Sequence, residues 1–124
     1  MKLETVREQL SGLSKLDVLL FGSYVTGDYR PSSDIDIAIL AHTEKSEEMI
    51  ELKMNLLGEI PYGYDISIFE ALPTIIKSGV LENYIVLFGD PLEISEYLRK
   101  FWKESQDYKF RFELPSIKEI RENI

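Results

Sequence analysis

The chain of 124 residues contains no cysteine and only a single histidine. Without cysteine it can form no disulfide, no thiolate metal site and no cysteine nucleophile, and this composition favours a cytoplasmic location. No apolar run is long enough to span a bilayer. The first ten residues mix charged and apolar side chains, unlike the continuous apolar segment of a signal peptide. We therefore expect no membrane partner.

Basic residues are scarce relative to acidic ones. The chain has 14 Lys and Arg against 22 Asp and Glu, which gives a formal net charge of −8. Such a chain repels phosphate backbones unless a local basic patch or a metal ion intervenes. We therefore expect no generic nucleic-acid binding, whereas a basic protein partner, or a nucleotide that arrives with a divalent metal, is compatible with this charge.

The apolar patterns predict alternating helices and strands. We predict strands at 16–21, 34–40, 64–69 and 85–88, and helices near 3–13, 44–58, 73–84 and 94–102, the third of them weakened at Gly79. This alternation indicates an α/β or α+β fold. The length fits a single domain over 1–124, with residues from about 92 to 124 as a helical C-terminal extension.

Three acidic residues are placed to converge. Asp34 and Asp36 are two residues apart on a predicted strand, so both carboxylates project from the same face, and the isoleucines between and after them take the other. Asp65 has the same alternation with isoleucine on a later strand. If the two strands are neighbours, all three carboxylates meet. An Asp-x-Asp pair alone is a weak signal, because such acids also solvate exposed sheet faces.

A divalent cation would relieve the repulsion among these carboxylates. Hard cations such as Mg²⁺ prefer oxygen ligands and typically combine one or two carboxylates with substrate phosphates. A pair of such ions can hold both the attacking and the leaving oxygen in phosphoryl chemistry. The acidic residues are therefore candidate metal ligands.

A Gly-Ser turn follows the first predicted strand. Gly22 would let the backbone approach a ligand closely, and the hydroxyl of Ser23 with neighbouring N–H groups could hold phosphate oxygens. No lysine follows at the spacing of a Walker loop. Taken alone, Gly22-Ser23 is as well explained by an ordinary turn at the end of a strand.

In combination, these residues resemble a known family. Gly22-Ser23, ten intervening residues, Asp34-Ile35-Asp36 and a later Asp65 form the pattern of the DNA polymerase β-like nucleotidyltransferase superfamily. The stretch GSYVTGDYRPSSDIDIAIL resembles its minimal members, the MNT proteins, which are commonly the antitoxins of HEPN–MNT toxin–antitoxin pairs. The resemblance covers roughly residues 10–92. It implies an α+β fold with a small mixed sheet of about four strands flanked by helices.

The resemblance also implies roles for the matching residues. Gly22-Ser23 would hold the β- and γ-phosphates of the nucleotide, and Ser33, which precedes the acidic pair, would join the nucleotide-binding residues. Asp34 and Asp36 would bind two Mg²⁺ ions. Asp65 would complete the metal site and assist deprotonation of the attacking hydroxyl, so that all three acids are catalytic.

One position departs from the family pattern. Many minimal members carry arginine directly after Gly-Ser, and this chain has Tyr24 there. Arg30 is a candidate for the missing positive charge.

The resemblance implies an enzyme that moves NMP from an NTP to an acceptor hydroxyl, with ATP as the substrate and a tyrosine of a HEPN-type toxin as the acceptor. One alternative is a small-molecule nucleotidyltransferase. Another is a non-catalytic antitoxin that neutralises a basic partner by docking alone. The adjacent Phe101 and Trp102 cannot both point at the same spot on the core, so one of them is a candidate contact with the toxin or with the second copy of a homodimer. The alternative is that both rings pack under the tail after Pro115 and that the protein is monomeric.

Overall fold

Four strands form one sheet, and helices pack on both of its faces. The structure, a computed structural model, describes the backbone of residues 2–122 and the side chains of residues 2–107. In chain order its elements are α1 (Leu3–Gln9), β1 (Asp17–Phe21), α2 (Ser23–Thr26), β2 (Ile35–Leu40), α3 (Ser46–Leu57), β3 (Tyr64–Ile68), α4 (Thr74–Glu82), β4 (Ile85–Phe88) and α5 (Pro91–Glu122). Short 3₁₀ turns span Ser11–Leu13 and Phe69–Ala71.

The sheet has the strand order β3-β2-β1-β4. β1 is antiparallel to both β2 and β4, whereas β2 and β3 are parallel. The parallel pair requires a crossover connection, and α3 provides it. This mixed sheet confirms the predicted α+β class and the predicted set of four strands.

Alternation along the strands divides the core in two. One face carries the isoleucines of β2 and β3 and packs against residues of α1 and α3, including Val6, Met49 and Leu56. The other face carries Leu19 and Ala38 and packs against residues of α4 and α5. This second face is also the one that carries the acidic residues. It is not an open solvated surface, because α4 and α5 cover the part of it that lies past the carboxylates.

Two helices differ from their predicted form. α1 ends at Gln9 and the chain tightens into a 3₁₀ turn, so the predicted helix over 3–13 is divided. α4 continues through Gly79, where the sequence predicted a weakened helix. Its buried residues Val80 and Leu81 belong to the core shared with α5, and this tertiary packing outweighs the poor helix propensity of one glycine.

The last helix begins at a well-formed cap. The carboxylate of Asp90 accepts hydrogen bonds from the backbone N–H groups of Leu92 and Glu93 at 2.9 and 3.0 Å, and Pro91 occupies the first helical position. Among the described residues, no helix combines the length and apolar character that crossing a membrane would require.

Candidate active site

The strand register brings two of the predicted acids side by side. In the parallel pair of β2 and β3, Asp36 is opposite Asp65, so their carboxylates project from the same face of neighbouring strands. Asp34 lies immediately before β2, whose first residue, Ile35, donates its N–H to the carbonyl of Gly63 at 2.9 Å. The two acidic strands are therefore neighbours, which is the condition on which the convergence of the acids depended.

The three acids act on one another electrostatically. Asp36 is half-buried, while Asp34 and Asp65 are exposed. Burial is the main cause that raises the pKa of the Asp36 carboxyl above 3.8, and the negative charges of Asp65 and then Asp34 raise it further. An excess of negative charge is thus concentrated at one end of the sheet.

Gly22 joins the Gly-Ser turn to this acidic cluster. Its φ of +75° lies in the region that favours glycine, and a Cβ atom at this position would lie 2.3 Å from Oδ2 of Asp36. No other residue could occupy the position without displacing that carboxylate. The turn and the acids, which are separated in sequence, therefore form one continuous surface.

Ser23 and Ser33 lie on the two ends of the loop that connects β1 to β2. Ser23 is the first residue of α2, and Gly27, with φ +92°, follows its last residue. Ser33, next to Asp34, donates its backbone N–H to the carbonyl of Arg30 at 2.8 Å. Both serines are half-buried.

Tyr24 has a packing position where many minimal members have arginine. Its ring meets that of Tyr29 edge-on, with centroids 5.5 Å apart, and packs against the isoleucine face of the core. Arg30 lies exposed in the same loop. Tyr24 therefore packs the loop against the core, and it does not supply the positive charge that an arginine would offer to a phosphate.

The carboxylates suit a hard cation by donor type. Among the side chains that the structure describes, those of residues 2–107, no three His, Cys, Asp or Glu residues form a group that could hold a metal ion by themselves. Asp36 and Asp65 with Asp34 could still supply part of a coordination shell, since Mg²⁺ commonly keeps water and takes substrate phosphates as further ligands.

His42 lies apart from the acids, beyond the other end of β2. Its Nε2 is 2.6 Å from Oδ2 of Asp17, and its ring packs on that of Tyr97. His42 is therefore a loop residue whose contacts, with Asp17 and Tyr97, are structural.

A cavity that the sequence patterns did not predict adjoins Gly22. It lies between α2 and α4, has a volume of about 460 Å³, and exposes Ile75 and Ile76 on its α4 wall. In the sequence, the one indication of this cavity is that α4 carries more apolar residues than it needs to face the core, and Ile75 and Ile76 are the surplus.

The family model described as polymerase beta, nucleotidyltransferase matches residues 5–91, which include the Gly-Ser turn and all three acids. The chain belongs to this family. This nucleotidyltransferase is 36% identical over 107 residues to a protein of Methanocaldococcus jannaschii that is named a protein adenylyltransferase, and the match covers 86% of this chain and 83% of that protein.

Solved structures share the fold of the nucleotidyltransferase. A chain in a toxin–antitoxin crystal structure with AMP-PNP superposes with a TM-score of 0.68 at 22% identity, covering 97% of this chain and 99% of that one. A chain from a complex of tri-AMPylated Shewanella oneidensis HEPN toxin with MNT antitoxin gives a TM-score of 0.61 at 21% identity, covering 95% of each. The predicted polymerase β-like fold is thus confirmed.

Proposed function

We propose that this nucleotidyltransferase moves AMP from ATP to a tyrosine hydroxyl of a HEPN-type toxin and so acts as its antitoxin. The observation that carries the proposal is the pairing of Asp36 with Asp65, with Gly22 packed directly on Asp36. The name of the Methanocaldococcus jannaschii relative and the toxin–antitoxin complexes with the same fold support this choice of nucleotide and partner.

Each site residue has a task in this reaction. Gly22 and Ser23 hold the β- and γ-phosphates, with Ser33 nearby, and so orient the α-phosphate for attack. Asp34, Asp36 and Asp65 would hold two Mg²⁺ ions, and such ions would neutralise the phosphate charges. Asp65 would assist deprotonation of the acceptor hydroxyl. The new bond joins the tyrosine oxygen to the α-phosphorus, the bond from the α-phosphorus to the bridging oxygen breaks, and pyrophosphate leaves.

The proposal is tested by incubating the chain with its toxin partner, ATP and Mg²⁺, and measuring the mass of the partner. We expect an increase of one or more AMP groups, located on tyrosine. Asp36→Asn should abolish the modification. Glu51→Gln, which removes the same charge from an exposed position on α3, should leave it intact. Modification by Asp36→Asn at the wild-type rate would contradict the assignment.

Neutralisation by binding alone is a separate possibility that the same variant distinguishes. In cells that express the toxin, a purely docking antitoxin would protect equally well as wild type and as Asp36→Asn. We expect growth with the wild type and with Glu51→Gln, and growth arrest with Asp36→Asn. Modification of a small molecule with no change in the partner would instead favour a small-molecule transferase.

The proposal also covers the domain organisation, the location and the type of partner. We take residues 1–124 as one domain in which 92–124 is a helical extension, in keeping with the family match that ends where α5 begins. The composition favours a cytoplasmic location. The excess of acidic residues fits a basic protein partner better than nucleic acid.

A further inference from the structure

The cavity between α2 and α4 has two chemically different walls. Its volume of about 460 Å³ falls within the range of about 300–1,000 Å³ that is typical of small-molecule sites. Gly22 and Ser23 line one end, so the cavity continues from the turn that packs on Asp36. Any ligand whose phosphates lie at this turn therefore has the cavity next to it.

The wall formed by α4 is apolar and open. Ile75 and Ile76 are 62% and 44% exposed, and Gly79 lies one turn further along the same side of the helix. A Cβ atom added at Gly79 would meet no atom within 4 Å. The two isoleucines and the glycine thus form a flat apolar strip, which suits the face of a planar ring.

The rim of the cavity is polar and carries negative charge. Asp28 accepts a hydrogen bond from the hydroxyl of Thr26 at 3.2 Å, and Glu82 and Asn83 lie at the end of α4. Carboxylates repel phosphate groups, but they accept hydrogen bonds from sugar hydroxyls and exocyclic amines. The amide of Asn83 offers both a donor and an acceptor to the edge of a base. These groups fit the uncharged part of a nucleotide.

We infer that the cavity binds the base and ribose of the substrate nucleotide, with the base lying on the strip of Ile75, Ile76 and Gly79. This inference rests on the proposed nucleotidyl transfer, since it takes Gly22-Ser23 as the phosphate-binding turn. It divides the nucleotide between two surfaces. The turn and the acids bind the triphosphate, and α4 binds the nucleoside.

This division is tested by comparing two ligands that share the triphosphate. Binding of ATP and of inorganic tripolyphosphate is measured by calorimetry with Mg²⁺ present. Gly79→Leu fills the strip and should weaken ATP binding by about tenfold or more while leaving tripolyphosphate binding unchanged. Ser23→Ala should weaken both ligands. Gly58→Leu, at an exposed glycine with φ −72° and open surroundings, should change neither.

A second pair of variants leaves the helix backbone unchanged. Ile75→Ser shortens an apolar side chain of the strip, and Ile50→Ser makes the same change at a position on α3 that is 60% exposed. We expect Ile75→Ser alone to weaken ATP binding, again without an effect on tripolyphosphate. Both isoleucines are largely exposed, so the variants should fold.

Different failures of these experiments have different meanings. If wild-type protein binds ATP but Gly79→Leu and Ile75→Ser bind it equally well, the nucleoside lies elsewhere and the inference is wrong while the proposed function stands. Equal weakening of ATP and tripolyphosphate would also overturn the inference, because the cavity would then bind phosphate. If wild-type protein binds neither ligand, the proposed function fails together with the inference.

Discussion

Asp36 is held between Gly22 and Asp65, where burial and like charge both oppose its ionisation. Its pKa is therefore higher in the folded chain than the 3.8 of an unperturbed aspartate. The folded state binds the Asp36 proton more tightly than the unfolded state does, so ionisation of Asp36 lowers the stability of the fold. This loss of stability is absent at pH values below the pKa of Asp36 in the unfolded chain. It is complete once the pH has risen above the pKa of Asp36 in the folded chain.

Replacing Asp36 with an uncharged isostere should therefore stabilise the chain when no metal is bound. In EDTA at neutral pH, we expect a higher melting temperature for Asp36→Asn than for wild type. In acid, below the pKa of unfolded aspartate, the two should melt alike. Thermal denaturation at a series of pH values measures this, with Glu51→Gln as the control for lost charge. A destabilised Asp36→Asn would mean that the carboxylate is structural.

The turn that follows β3 connects three elements through a single buried acid. The carboxylate of Glu70 accepts hydrogen bonds from the backbone N–H groups of Ala41 and His42 at 2.9 and 2.8 Å. It also accepts one from the hydroxyl of Tyr97 at 2.6 Å. Burial, and then this bond, raise the pKa of Tyr97 well above its usual range. Glu70 thus attaches the end of β2 to α5.

Removing this carboxylate should weaken the whole fold. Glu70→Ala leaves three donors without their partner, and we expect a loss of about 2–4 kcal/mol in the free energy of unfolding. Glu44→Ala removes an exposed acid whose carboxylate is 3.6 Å from Lys100, and should cost less than about 1 kcal/mol. Urea denaturation of both variants measures the difference. Equal losses would show that water replaces the bonds of Glu70.

These elements also show what the sequence could and could not predict. The run Ile85–Phe88 is bounded by turn residues and matches β4, and the alternation around Asp36 and Asp65 correctly predicted their common face. The local sequence did not predict features of the structure that depend on contacts with residues far away in the chain. The continuity of α4 through Gly79 depends on packing against α5, and the partners of Glu70 come from segments almost thirty residues away on either side.

The cavity between α2 and α4 escaped prediction for the same reason. Its two walls come from segments about fifty residues apart, and the path of the loop after Gly22 determines the space between them. The roles of Asp34, Asp36, Asp65, Gly22-Ser23 and Ser33 remain predictions, of which Asp36→Asn and Ser23→Ala test two.

Two adjacent aromatic residues of α5 differ in their exposure. Phe101 is 4% exposed and packs edge-on against Phe69, whereas its neighbour Trp102 is 43% exposed. Of the two rings, only that of Phe101 is therefore buried among the described side chains, while the predicted alternative of packing under the tail after Pro115 lies outside them. Trp102 also borders a cavity of about 340 Å³ with Leu81 and Tyr84, on a different side of α4 from the proposed nucleoside site.

An exposed tryptophan beside a cavity is suited to anchoring a protein partner, since aromatic residues often dominate binding energy. We expect Trp102→Ala to weaken capture of the toxin by about tenfold or more. Met54→Ala, at an exposed apolar position on α3, should have no effect. Biolayer interferometry with immobilised toxin measures both. Normal capture of the toxin by Trp102→Ala would exclude a toxin interface at this residue. Sizing chromatography of the wild type and of Trp102→Ala without toxin tests whether Trp102 joins two copies of this chain.

Nucleotidyl transfer is distinguished from other transfers by which phosphorus of ATP becomes bonded to the acceptor. The chain can be incubated with toxin and Mg²⁺ in parallel reactions, one with ATP radiolabelled at the α-phosphate and one with ATP labelled at the γ-phosphate. Nucleotidyl transfer predicts that the α-label becomes covalently attached to the toxin while the γ-label is released as pyrophosphate. Attachment of the γ-label, or of neither label under conditions in which the toxin is neutralised, would contradict it.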